Sequence, residues 1–364
     1  MITSPSGRGR SAAGGSGEGV LRTLVLMGLP GFCRRHCVAA LVLALATVWP
    51  PVSSRAADTG GQPTAMLAWG VGARPVAMGG AFTAIAEGPT GFWWNPAGVA
   101  QMRENGFEAA MRRMSFDRQA GYLSFVHPFG KEEAAMGLSW IYAGVGDLYT
   151  FDQDGIPGDK ISDYSNAFAF SFARRFTPRH SPLAWSVGLN LRYLQHNIAN
   201  INAYTVGFDV GTQLRYRLRP ATRAVTIPPE VRVGLSLQRL NEKYPWTTSE
   251  YWTQQGEDTG SDFEEKFPLL VRSGVALVFW QGRALLAFDT DVDEKQGTRW
   301  HGGGEVTVQS LFAVRAGMDD GDLTLGAGFQ PRLRPGVRLA IDYAFAVQPD
   351  DIDAEHLFSL GVRF

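Results

Sequence analysis

Strand-length stretches with a bulky apolar residue at every second position constrain this chain more than any other feature. Trp185, Val187, Leu189, Leu191 and Tyr193 alternate with Ala184, Ser186, Gly188, Asn190 and Arg192. Tyr204, Val206, Phe208 and Val210 alternate with Ala203, Thr205, Gly207 and Asp209. The same period runs through Val231–Gln238, Ala167–Phe172, Val337–Phe345 and His356–Phe364. A period of two means strands with one apolar face. The apolar face carries no charge in strand after strand. The opposite face is mainly Gly, Ala and Ser with an occasional Arg, Asp or Asn, which suits a crowded interior better than a watered surface. Trp140, Tyr142, Trp185, Tyr193 and Tyr343 fall near the ends of the apolar runs. An outward apolar band between aromatic girdles, with a polar lumen, is the pattern of a transmembrane β-barrel. A soluble sandwich would place Thr, Lys and Glu on its polar face.

Segments centred near Ala109, Leu123, Leu138, Phe170, Leu189, Phe208, Leu235, Val275, Phe288, Val306, Val314, Leu325, Ile341 and Leu360 predict about fourteen antiparallel strands over 106–364. Faint alternation in the first, second and tenth leaves twelve or sixteen open. Charge partitions with that count. The connections after odd strands hold Asp147, Asp152, Asp154 and Asp159, then Glu257, Asp258, Asp262, Glu264 and Glu265, then Asp319, Asp320 and Asp322, then Asp350, Asp351 and Asp353. The connections after even strands hold Arg174, Arg175, Arg179, Arg215, Arg217, Arg219, Arg223, Arg332 and Arg334. Gly144–Asp163 and Asn241–Lys266, the longest candidate loops, lie on the acidic side, as long external loops do in such barrels. The aromatic run Tyr244, Trp246 and Trp252 suggests a contact surface or a cover for the mouth. Phe358, Leu360, Val362 and Phe364 make the last strand a candidate assembly signal, closing on the first strand near Phe107–Arg113.

Arg192, Asp209, Arg232, Arg272, Asp289, Asp291, Glu305, Arg315, Asp342 and Arg363 have lumen parity. Unpaired charges inside a low-dielectric wall are costly, so these are expected to brace one another in ion pairs.

The first residues follow different rules. Arg34–Arg35 precede the apolar run Cys37–Trp49, which ends at Pro50–Pro51 and the small-residue site Ser54-Arg55-Ala56. That order is an export signal, residues 1–56, too short to span a bilayer as a helix. It has ordinary proportions if translation starts at Met27. Both cysteines, Cys33 and Cys37, lie inside it, so the exported chain has no disulfide or thiolate metal site. Of 34 basic and 35 acidic residues, cleavage removes six Arg and Glu18, leaving 28 and 34 and a net charge of −6. No basic field for nucleic acid remains. The implied location is the outer membrane of a Gram-negative type bacterium.

Residues 57–105 show no strand period. Gly72-Ala-Arg74-Pro-Val-Ala-Met-Gly79-Gly80-Ala-Phe-Thr-Ala-Ile-Ala86 is built of small residues, and Gly91-Phe-Trp93-Trp94-Asn95-Pro96-Ala-Gly98 follows. Asn95 before Pro96 predicts a helix cap with proline in the first turn. A compact segment of this kind ahead of the first strand is expected to fold into the lumen as a hatch.

These two motifs resemble the amino-terminal signature of the PorV/PorQ family, relatives of the FadL-type outer-membrane transporters. The tail agrees in His301-Gly-Gly-Gly-Glu305, "LFAVRAGMDDGDLTLGAGF", "LAIDYAF" and "HLFSLGVRF". The resemblance covers nearly all of the exported chain and implies a fourteen-strand barrel with an amino-terminal hatch. It also implies passage of hydrophobic molecules or, as in PorV-like proteins, a shuttle role in type IX secretion with secretion-system or cargo partners. Glu87-Gly88-Pro89-Thr90 departs from the family, which carries acidic and small residues such as Asp-Asp-Ala there.

Enzyme chemistry has little footing. His301-Gly302-Gly303-Gly304 resembles an esterase oxyanion loop but no G-x-S-x-G elbow accompanies it. His196 beside Asn197 has no partnered serine at a meaningful spacing. Asp152-x-Asp154-Gly155 lacks the further ligands of a calcium loop. No cofactor motif and no metal site is predicted. Outer-membrane lipids are the expected partners of such a chain.

Overall fold

The computed structural model describes Leu67 and residues 69–364 apart from 131–132, 153, 180, 200, 219–229, 255–259 and 348–353. The export signal, the first residues of the hatch segment, and Arg219, Arg223, Glu257, Asp258, Asp350, Asp351 and Asp353 lie outside the described residues.

The sheet closes on itself where β14 (Glu355–Arg363) pairs antiparallel with β1 (Gly106–Arg113), in register from Gly106↔Arg363 to Arg113↔His356. Between them run β2 (Arg118–Phe129), β3 (Ala134–Phe151), β4 (Pro157–Phe176), β5 (Leu183–Ile198), β6 (Ile201–Arg217) and β7 (Glu230–Leu240). The ring continues through β8 (Leu270–Phe279), β9 (Ala284–Asp293), β10 (Gly297–Val308), β11 (Phe312–Asp319), β12 (Asp322–Phe329) and β13 (Val337–Ala346). Each pairs with its chain neighbours, making an all-β, closed barrel of fourteen antiparallel strands, the architecture of outer-membrane barrels. A three-residue strand, Arg332–Arg334, pairs only with the start of β13 and belongs to a turn. All fourteen predicted segments fall in these strands, including the three with faint alternation.

Local chemistry fixes the hairpins. Between β11 and β12, Asp320 (φ 49°) and Gly321 (φ 109°) form a two-residue link whose positive φ angles match the twist of the flanking strands. Alternation then decides facing. Leu138 (62 % exposed) and Leu360 (48 %) point outward, while their neighbours Ser139 and Ser359 are buried. Phe168, Phe170, Phe172, Leu189, Leu191 and Val206 continue the outward apolar band. A belt of such residues around a closed ring meets lipid, because water would charge for every one of them.

Two predicted loops are corrected. Gly144–Asp163 is mostly strand: β3 runs on to Phe151 and β4 starts at Pro157, with register shifts at Val145/Leu148 and Tyr149/Phe151. Thr, Tyr and Phe in that stretch favour extended backbone over loop. Asn241–Lys266 contains its own hairpin, Lys243–Thr247 against Asp262–Lys266, with a short helix Ser249–Gln254 at its tip. Its aromatic residues divide. Tyr244 and Trp246 are buried and do not offer a contact surface, whereas Trp252 is exposed.

Candidate functional site: the filled lumen

The segment ahead of β1 packs among inward-facing side chains of the wall. It consists of α1 (Ala73–Ala77), α2 (Gly91–Trp94) and a 3₁₀ helix, Pro96–Gln101. Proline and small residues keep the helices short, and its apolar side chains Met78, Phe82, Ile85, Phe92 and Val99 are buried. Burying each large side chain stabilises the packing by roughly 1.5–3 kcal/mol.

Glycines in the wall make room for it. A β-carbon on Gly188 would overlap Pro96, one on Gly211 would overlap Asn95, and one on Gly234 would overlap Thr83. Across the lumen, Gly303 abuts Met78, Gly317 abuts Gly79, and Gly326 abuts Ala77. These glycines, on β5, β6, β7, β10, β11 and β12, map the footprint of the segment. His301-Gly302-Gly303-Gly304 is thereby explained as wall rather than oxyanion loop. The His301 imidazole bonds the Gly79 carbonyl at 3.0 Å and lies 2.9 Å from Asp319.

Asn95 is the segment's main polar anchor. Its Oδ1 accepts from the Ala97 amide at 3.0 Å, capping the 3₁₀ helix, with Pro96 at the first helical position. Its Nδ2 donates to the Thr83 carbonyl (3.1 Å) and to the Thr212 carbonyl on β6 (3.0 Å), joining the segment to the wall. Trp94 Nε1 donates to the Val71 carbonyl at 3.0 Å, and the Trp93 and Trp94 carbonyls accept from Gln238 on β7. Gly72, Gly79 and Gly80 hold positive φ, the left-handed conformation that lets so short a run fold back on itself. Gly98 abuts the Ala86 backbone.

Three charge clusters join wall and segment. In the first, Arg74 clamps Glu305 with two bonds of 2.8 Å and reaches Glu87 at 3.0 Å. Glu305 also pairs with Arg315 (2.6 Å), which pairs with Asp342 (2.7 Å). Glu87 lies 3.5 Å from Arg215 and 3.7 Å from Arg232, and Arg363 comes close at Gly88. Burial pushes the Glu87 carboxyl up, but Arg74, Arg232, Arg215 and Arg363 outweigh it and hold it well below the usual carboxylate range. Glu87 is thus the acidic anchor of this stretch of the segment.

The second cluster is nearer the long loops. Arg192 pairs with Asp209 (3.0 Å) and with Glu242 (2.6 Å), while Asn190 bonds Asp209 (2.9 Å) and the Phe92 carbonyl (2.7 Å). Glu242 stands at the base of the loop hairpin, over Gly207, with Oε2 buried and unpartnered. Burial, with Asp209 sharing the same arginine, pushes its carboxyl up to about 7 against the pull of Arg192. The third cluster pairs Arg272 with Asp291 (3.0 Å), and Asp289 accepts from the Thr83 amide (2.6 Å). Of the ten lumen-parity charges, Arg192, Asp209, Arg232, Arg272, Asp291, Glu305, Arg315 and Asp342 stand in ion pairs, Asp289 accepts from the segment's backbone, and Arg363 lies near Gly88.

Several contributors escape the period-two reading. Glu87 and Glu242 lie outside strands. Arg239 follows a register shift at Phe208/Val210, adopts φ 65° and turns inward to Asp293 at 2.6 Å. An arginine at lipid-facing parity was the available signal, because only a bulge rescues it from hydrocarbon. Arg112 pairs with Glu355 across the β1–β14 seam.

Beside the Arg192–Asp209–Glu242 cluster, an apolar cluster packs inside the barrel. Tyr244, Trp246 and Phe267 from the loop region cluster with Ile141, Ala143, Ala167, Leu194 and Ala203 of the wall and with Phe82, Trp93 and Trp94 of the segment. Tyr244 and Phe267 rings meet edge-on at 5.0 Å.

No protein-family model and no curated protein matches this sequence. Solved structures do. The toluene transporter TbuX of Ralstonia pickettii aligns over 81 % of this chain and 98 % of its own, at 12 % identity and a TM-score of 0.51. The CymD monoaromatic hydrocarbon channel aligns over 81 % and 96 % (14 % identity, TM-score 0.49), and a Pseudomonas aeruginosa FadL homologue over 78 % and 95 % (11 % identity, TM-score 0.46). The likeness to TbuX is one of fold, a closed fourteen-strand antiparallel barrel.

Proposed function

We propose that the protein is a non-enzymatic outer-membrane channel for passive uptake of small hydrophobic molecules. The observation that carries this reading is the apolar cluster packed inside the barrel, where Tyr244, Trp246 and Phe267 meet Ile141, Leu194 and the segment's Phe82 and Trp94. A porin for hydrophilic solutes keeps a polar, water-filled channel there. An apolar lining lowers the cost of leaving lipid or membrane surface for an aromatic solute, and raises it for an ion. The segment of residues 57–105 is the hatch of this channel, held by Asn95 and the Arg74–Glu87–Glu305 cluster. The fold shared with a toluene transporter supports the same substrate class.

A signal at residues 1–56 would deliver the chain to the outer membrane, where the Phe358–Phe364 strand would serve assembly. The PorV-like secretion role rests on the sequence motifs, and co-purified cargo proteins would favour it.

Uptake of a radiolabelled monoaromatic hydrocarbon by cells with and without the protein tests the proposal. Faster entry with the protein is expected, and equal rates would refute it.

A further inference from the structure

The lipid-facing band carries a furrow. Over β1–β6 the strand register aligns two rows of bulky outward side chains. Leu123, Trp140, Phe168, Tyr193 and Val206 form one row, each the direct cross-strand partner of the next. Phe107, Phe125, Leu138, Phe170 and Leu191 form the other in the same way. Between the rows runs the backbone of Ser124, Ser139, Ala169 and Arg192, also paired in register, whose side chains have lumen parity. Rows and backbone together line an apolar groove of about 500 Å³ on the outer wall. Its floor is an unbroken ladder of paired strands, so the groove is closed toward the lumen.

The dimensions suit one kind of guest. Neighbouring rows on one face lie about 7 Å apart along the strands, and a row across five strands is about 19 Å long. That leaves a gap one hydrocarbon chain wide, and longer than the roughly 15 Å that is half of a bilayer's apolar core. The side walls hold their shape. Trp140 and Phe168 stack at 6.2 Å, Phe168 and Tyr193 follow at 6.5 Å, and Trp140 Nε1 donates to Asn166 Oδ1 at 3.0 Å. Pre-shaped walls leave most of the ordering cost with the guest. A chain touched on three sides gains more dispersion attraction than one lying on a flat surface. A straight groove also favours a straight chain over one bent by a cis double bond. The opposite wall is built otherwise: Gly302 and Gly304, the cross-strand partners of Phe288 and Leu286, interrupt its outward rows.

We propose that this groove binds a saturated acyl chain of a membrane lipid. The occupant follows from the groove's place within a surface that meets hydrocarbon, and from a width that takes one chain and not the side of a second barrel. The inference needs only the lipid-facing wall, so it stands or falls independently of the uptake reading.

The test places the full chain in nanodiscs of equal dipalmitoyl- and dioleoylphosphatidylglycerol and reads the retained lipid by native mass spectrometry. One dipalmitoyl lipid per barrel should be kept over the dioleoyl lipid by roughly tenfold. The preference should vanish in Leu138→Ala/Phe170→Ala, which cuts one side wall down, and persist in Leu286→Ala/Phe288→Ala on the opposite wall. All four side chains are exposed on the lipid face, so heat-modifiable migration should stay normal in both variants and separate binding from folding. Equal retention of the two lipids by the wild type would overturn the proposal, as would equal loss of preference in the two double variants. A dimer that dissociates in Leu138→Ala/Phe170→Ala would give the groove to a second copy and overturn it too.

Discussion

The pore is obstructed twice, and the two obstructions are fastened differently. Toward the basic rim, the segment around Glu87 is held by Arg74, Arg215 and Arg232, by Asn95, and by backbone seated on wall glycines. Toward the long loops, the charge that holds the hairpin base is Glu242 on one arginine, Arg192, which already serves Asp209. The first fastening is redundant, so removing one partner leaves others. The second is a buried site with more carboxylate than guanidinium. Under the uptake role proposed above, the looser closure lies on the side from which a solute would enter.

Removing the inner obstruction should have the largest effect. Deleting residues 66–98 should raise single-channel conductance in planar bilayers severalfold, and unchanged conductance would show that the segment does not block the pore. Next comes Arg192→Ala, which strands Glu242 and Asp209 without their cation. A cost of about 3–5 kcal/mol is expected, read as early proteolysis at Lys243 and Lys266. Glu87→Gln should cost clearly less by thermal melting, because Arg74 keeps Glu305. An equal loss in the two variants would erase the contrast. Gly303→Val should sit between them, with overpacking against Met78 costing roughly 1–3 kcal/mol. Its barrel should still close, and the conductance should rise.

The smallest effect concerns pH. Glu242 has a raised value when seated, so the seated hairpin binds the proton more tightly than the released one. Seating is then most favourable below the ordinary glutamate value and weakens as pH rises toward about 7. Protease protection of Lys243 should fall between pH 5 and 8 in the wild type and stay flat in Glu242→Gln. Glu87 has the opposite sign. Its contribution is complete above the ordinary glutamate value and is lost only in acid, as pH falls below that range.

The strand period made the wall legible because lipid tolerates no charge outside and the lumen tolerates little bulk inside. Arg192, Asp209, Arg272 and Arg315 could be placed from parity alone. The partners could not, since Glu87 and Glu242 belong to segments without a period. Arg239 broke the rule at a bulge, where one extra residue turns the side chain over. The Gly144–Asp163 stretch misled for a related reason: acidic residues at its tip looked like loop, but Asp147 pairs with Lys160 at 3.1 Å across a continuing ladder. Glycine parity held the most hidden information. Gly188, Gly211, Gly234, Gly303, Gly317 and Gly326 read in the sequence only as small residues of a crowded interior, and in the structure they outline what fills it.

The β3–β4 ribbon has a reach that the other hairpins lack. With 18 and 20 residues against the roughly ten that cross a bilayer, its tip stands up to about 25 Å clear of the hydrocarbon. Phe151 and Ile156 ride at that height, both more than half exposed. With the long loops facing outward, as the proposed function has them, this mast is the part of the protein that an approaching macromolecule would touch before the mouth.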